Sequence, residues 1–155
     1  MMNFSDLIKP SAVKVVSGAF SKKRLMQDIA DLAQSAYGLD ASSTLEALQE
    51  RESLGPTGVG NGIALPHARV QGLDHVQGAF ILMERPVEFD AIDRQPVDIV
   101  FALFAPEDAG VEHLKALALV SRSLREPSMC RKLRANRDAG TLYTILTETQ
   151  ATRAA

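Results

Sequence analysis

Val97-Asp-Ile-Val-Phe-Ala-Leu-Phe104 and Gly78-Ala-Phe-Ile-Leu-Met83 are near-continuous apolar runs bounded by proline and glycine. A strand with one wet face alternates polar and apolar residues, so these runs read as strands buried on both faces. Helices must then cover each face. Upstream, Ala12-Val-Lys-Val-Val16 is a short β-branched strand. Ser21 next offers an N-cap to a helix carrying Leu25, Ile29, Leu32, Ala33 and Ala36, which Gly38 terminates. A second helix is expected from Ser43, with Glu46 completing a capping box and a stop at Gly55-Pro56. Downstream, Glu112 to Glu126 reads as a helix with Leu114, Leu117, Val120 and Leu124 on one stripe. Pro127 opens a short helix through Leu133, and Ala139 to Thr147 forms a last one. The pattern predicts an α/β fold: a single-domain sandwich over residues 1–155, its central mixed β-sheet flanked by helices on both faces. The order of the strands does not follow from it.

The bulk properties agree with one soluble, globular unit. The chain has 155 residues, 46% of them hydrophobic and 23% charged. Seventeen basic residues against nineteen acidic ones give a formal charge of -2, which argues against a protein built to coat nucleic acid or an anionic membrane. The single cysteine, Cys130, excludes an internal disulfide and reads as a small, partly buried side chain. No apolar run reaches the length of a membrane span, and the opening Met-Met-Asn-Phe-Ser-Asp lacks the basic-then-apolar form of a signal peptide. A cytoplasmic location is the expectation.

Between the second helix and the buried strands lies Arg51-Glu-Ser-Leu-Gly-Pro-Thr-Gly-Val-Gly-Asn-Gly-Ile-Ala-Leu-Pro-His67-Ala-Arg69. Glycines at 58, 60 and 62 permit positive φ and close approach of another chain or an anion. Pro66 holds its own φ and pushes Leu65 into an extended conformation, so the imidazole of His67 is presented from a stiff edge. A group that must meet a reacting centre in line needs such a fixed aim. Known nucleotide motifs fail here: a dinucleotide fingerprint needs glycine where Ile63 stands, and a P-loop needs lysine where Asn61 stands.

This segment resembles the EIIA proteins of the phosphotransferase system, in their mannitol/fructose branch, and is most similar to the free-standing nitrogen-regulatory members. The residues that carry the resemblance are Arg51-Glu52, Thr57-Gly-x-Gly-Asn-Gly-Ile-Ala-Leu-Pro-His67-Ala and the later His113-Leu-Lys-Ala-Leu-Ala-Leu-Val. It implies that residues 1–155 form one EIIA-type domain. By the same resemblance, His67 accepts a phosphoryl group from a small histidine-containing phosphocarrier protein. His113 stands beside it and Arg51 helps neutralise the group. No cofactor is implied. The partners implied downstream are regulatory targets such as potassium transporters and sensor kinases, and the role is in nitrogen metabolism.

The chemistry of these side chains suits those roles. A neutral imidazole is a usable nucleophile near physiological pH, and phosphoryl transfer depends chiefly on positioning and electrostatic stabilisation. Arg51 brings a planar, permanent charge. His113 falls in the first turn of its helix, where free N–H groups favour an anion, and two adjacent histidines are able to share a proton. On spacing alone His113 reads as a satisfied core histidine, and it is the resemblance that makes it a site residue. His75, in a turn, receives no role.

Two other readings remain open at this level. A fructose- or mannitol-type EIIA would pass the phosphoryl group on to a sugar permease, and a docking module would bind partners without being phosphorylated. Either way the chain is a carrier or binder with no free-standing catalytic activity. A zinc site is not expected, for there is no i,i+4 histidine pair. Arg122, Arg125, Arg131, Lys132, Arg134 and Arg137 read as a solvated face or a dock for an acidic partner.

Overall fold

A computed structural model describes residues 2–18 and 21–154, with side chains as far as Glu148. The ends of the 1–155 span read from the sequence, Met1 and Ala155, lie outside the described residues, as do Ala19 and Phe20. The elements in chain order are α1 (Phe4–Leu7), β1 (Ile8–Val16), α2 (Lys22–Tyr37), α3 (Ala41–Leu54), β2 (Gly58–Gly60), β3 (Ile63–Ala64), β4 (His67–Val70), β5 (Gln77–Val87), β6 (Val97–Pro106), α4 (Val111–Leu124), α5 (Pro127–Arg134) and α6 (Ala139–Ala154).

The two apolar runs become β5 and β6, the centre of a six-stranded sheet in the order β1-β5-β6-β3-β2, with β4 also pairing β6. Residues 77–83 and 99–106 are buried without alternation, which requires cover on both faces of the sheet. Helices supply it: α2 packs on β1 and β5, α3 lies over β4, α4 over β6, and α6 against β1. The sheet is mixed. β1 runs parallel to β5, β5 and β6 are antiparallel, and β3 and β4 run parallel to β6.

Helix ends follow local chemistry. Ser21 accepts a hydrogen bond from the Arg24 amide, and Gly38 closes α2 at φ 71°, a left-handed value. The expected start of the next helix at Ser43 is corrected. Asp40 is the cap, its side chain accepting from the Ser43 amide, so α3 begins at Ala41. Leu114 is also corrected: it is 64% exposed, and the inner face of α4 is made by His113, Ala116, Leu119, Val120, Ser123 and Leu124.

The glycine segment forms short strands. β2 and β3 pair as a tight antiparallel hairpin, with Gly60, Asn61 and Gly62 at φ 103°, 58° and 80°. Gly58 serves another purpose, since a Cβ there would lie 2.7 Å from Ala91 Cβ. The hairpin leads straight into β4. Ile63 pairs with Ile99, Ala64 with Val100, His67 with Leu103 and Ala68 with Phe104, in one unchanging register across Leu65-Pro66. Pro66 has no N–H to give, but its carbonyl accepts from the Leu103 amide at 2.9 Å. β3 and β4 are therefore one strand with a proline set into it, and His67 belongs to the sheet.

Candidate functional site

His67 opens β4 and is half-buried. Its Nδ1 lies 2.9 Å from the Leu65 carbonyl oxygen. A carbonyl only accepts, so Nδ1 carries the proton. On the other side of the ring, Nε2 accepts the Nε–H of Arg51 at 3.2 Å. These two contacts specify a neutral Nδ1–H ring whose Nε2 lone pair faces the cation.

Arg51 reaches this position from the last turn of α3. A second N–H of its guanidinium, on Nη1, donates to the Gly55 carbonyl at 3.0 Å, which fixes the plane of the fork. The stop at Gly55 thus does more than end the helix, because its carbonyl orients the arginine. His113 arrives from the first turn of α4, 8% exposed. Its ring centroid is 5.5 Å from that of His67, at an interplanar angle of 50°. Burial lowers the pKa of His113, with the neighbouring His67 and Arg69 acting in the same direction, which favours the neutral ring. Its Nδ1 is buried without a hydrogen-bond partner. No hydrogen bond therefore joins the two rings through that atom.

The structure therefore brings His67, His113 and Arg51 together at one open cleft of about 430 Å³, which Leu54 and Arg69 also line. Arg69 was missed in the sequence. It stands two residues beyond His67 on the same strand, hence on the same face, and its Nη1 donates to the Glu107 carbonyl at 3.1 Å. With Arg51 it makes two fixed cations at the cleft. Gly110 precedes α4 and supplies no side-chain cap to its first-turn N–H groups. His75 is exposed, away from these residues.

The basic run on the last helices divides. Arg122, Arg125, Arg131, Lys132 and Arg137 are exposed, but Arg134 turns inward. It donates to both oxygens of Asp98 at 2.9 Å and to the Asn61 carbonyl at 2.8 Å, clamping the glycine hairpin to β6. The signal for this was Asp98, a carboxylate inside an apolar strand that needed a cationic partner. Cys130 is buried, and burial pushes its thiol pKa up. Among the described residues, no group of three or more His, Cys, Asp or Glu is placed to hold a metal ion. None of the described helices is long and apolar enough to cross a membrane.

Comparison with known proteins gives this site its setting. Residues 6–149 match the family described as phosphoenolpyruvate-dependent sugar phosphotransferase system, EIIA 2. A nitrogen regulatory protein of Bradyrhizobium diazoefficiens is 42% identical over 153 residues, covering 99% of this chain and all of that one. The nitrogen regulatory protein of Escherichia coli is 43% identical over 133 residues, 85% of this chain and 82% of its own. The crystal structure of nitrogen regulatory protein IIA-Ntr from Neisseria meningitidis superposes with a TM-score of 0.85 at 34% identity, covering 93% of this chain and 99% of that one.

Proposed function

The chain belongs to the EIIA type 2 family of the phosphotransferase system, and from that premise we propose that it is a regulatory histidine phosphocarrier whose acceptor is Nε2 of His67. One EIIA-type domain over residues 1–155 carries the activity. The observation behind this reading is the pair of opposed contacts on one ring: Leu65 holds the Nδ1 proton while Arg51 faces the Nε2 lone pair.

The step is a displacement at phosphorus. Nε2 of His67 forms a bond to the phosphorus of a phosphohistidine on a small phosphocarrier protein as the donor's N–P bond breaks, and the donor ring keeps that electron pair. Positive character develops on the His67 ring as Nε2 bonds to phosphorus, and the Leu65 carbonyl stabilises it through Nδ1–H. The Arg51 N–H groups turn from the nitrogen to the phosphoryl oxygens, where Arg69 and the first-turn amides of α4 add to the positive field. His113, neutral by burial, has one N–H to donate to the same oxygens.

Phosphorylated and free forms then engage different regulatory targets, such as potassium transporters or sensor kinases. The test is intact-mass analysis after incubation with phosphoenolpyruvate, the first enzyme of the system and its phosphocarrier. One acid-labile phosphoryl group on the wild type and none on folded His67→Ala supports the reading. No group on a folded wild type, with the upstream proteins shown active, leaves a docking module. Onward transfer to a sugar-permease domain would instead make it a sugar EIIA.

A further inference from the structure

Arg51 and Glu52 are neighbours on the last turn of α3, and they leave it in different directions. Arg51 goes to the His67 ring. The side chain of Glu52 is 8% exposed and binds Lys22 Nζ of α2 at 3.0 Å. The Glu52 carboxylate also accepts the Thr57 amide N–H at 3.0 Å and the Thr57 hydroxyl. Thr57 is itself buried. Lys22 is held in turn by Asp90 at 3.5 Å and by the Phe89 ring, whose centroid is 4.7 Å from Nζ.

From Thr57 the hydrogen bonds continue through the backbone to the reacting ring. The Thr57 carbonyl accepts from the Leu65 amide at 2.9 Å. The Leu65 carbonyl, on the other side of that residue, accepts from His67 Nδ1 at 2.9 Å. Each peptide between is either proline-restricted or in the hairpin, so the placement of the Leu65 carbonyl depends on where Thr57 is tied. A buried carboxylate with three donors is a rigid tie, because leaving any of those donors unmet is costly.

We propose that Glu52 is a positioning residue for His67: through Thr57 and Leu65 it sets which ring nitrogen carries the proton and which is free to react. Outer hydrogen bonds commonly govern histidine tautomers in this way, and at metal-bound histidines their loss costs about 10- to 100-fold. The proposal rests on the reading of His67 as acceptor, but its first measurement does not.

Long-range 1H–15N correlation of the imidazole, recorded on the unphosphorylated protein, reads the His67 tautomer directly. Wild type is expected to show the Nδ1–H form alone. Glu52→Ala is expected to show a measurable Nε2–H population and phosphoryl acceptance slower by on the order of tenfold. Glu52→Gln, which keeps an oxygen for Thr57, should restore the wild-type tautomer and most of the rate. Thr57→Val removes the hydroxyl and should shift the tautomer in the direction of Glu52→Ala; it serves if Glu52→Ala does not fold. An unchanged Nδ1–H tautomer in folded Glu52→Ala, or in Thr57→Val where that is the variant that folds, overturns the proposal. If the tautomer shifts in the variants while wild type accepts no phosphoryl group, the positioning role stands and the carrier reading fails.

Discussion

Arg51 donates its Nε–H to Nε2 of His67 at 3.2 Å, so a permanent cation rests against the one ring nitrogen whose lone pair is free of a proton. The same guanidinium is tied to the Gly55 carbonyl at 3.0 Å. A lysine has no planar fork with which to make both contacts. Arg51→Ala is expected to slow phosphoryl acceptance by roughly 10- to 100-fold. Arg51→Lys should recover only part of that loss in a single-turnover transfer assay. Full recovery by lysine would show that charge alone matters here.

His113 gives the fold a dependence on pH. Its pKa is lowered from 6.5 by burial first, then by His67 and Arg69. Between the lowered folded value and the ordinary unfolded one, the unfolded chain binds a proton that the native state refuses, so stability falls as pH drops below about 6.5. The contribution is fully present above that pH. His113→Gln should flatten this part of the curve, measured by urea unfolding from pH 5 to 7.5 against wild type. Parallel curves for the two proteins would mean that His113 is not held neutral.

Gly58 has no room for a side chain. A Cβ would sit 2.7 Å from Ala91 Cβ and 2.8 Å from its Cα, and the Ile92 amide already donates to the Gly58 carbonyl at 3.1 Å. Gly58→Ala must push the 90–96 loop away from the hairpin. A loss of about 1–3 kcal/mol in denaturant unfolding is expected; a loss under a few tenths would show that the loop yields freely.

Arg134 reaches from α5 to the hairpin before β3, whereas His67 lies past the proline at the start of β4. Arg134→Met strips the partner from Asp98 and releases the Asn61 carbonyl. Stability should fall by about 1–3 kcal/mol, while single-turnover phosphoryl acceptance at 20 °C stays within about threefold of wild type, since the ties on His67 come from Leu65 and Arg51. A larger fall in rate on a folded variant would mean that the hairpin clamp also aims the ring.

The central strands, the caps at Ser21 and Gly38 and the proline-led α5 were legible because each depends on nearest neighbours: unbroken burial, one hydroxyl, one left-handed glycine. Asp40 was passed over for Ser43 because both are good caps three residues apart, and packing of the helix decides between them. Leu114 was misplaced since a six-position stripe of mixed residues, His113 and Ser123 included, outweighs a pattern traced through leucines. Of the site, Arg51, His67 and His113 were found through the family resemblance. Spacing alone favoured a core role for His113. Arg69, Arg134 and Glu52 act across the sheet or between helices, reaching Glu107 at 38 residues' separation, Asp98 and Asn61 at 36 and 73, and Lys22 at 30, and no local pattern names those partners.

The single strand formed by β3 and β4 has a consequence for how such a protein can be read. Hydrogen bonds to a fully buried strand are among the last in a domain to open. On the proposed reading, a phosphoryl group carried by His67 would add charge beside Arg51 and Arg69 while the strand beneath kept its register. A partner would then distinguish charge at a fixed address more than a change of shape.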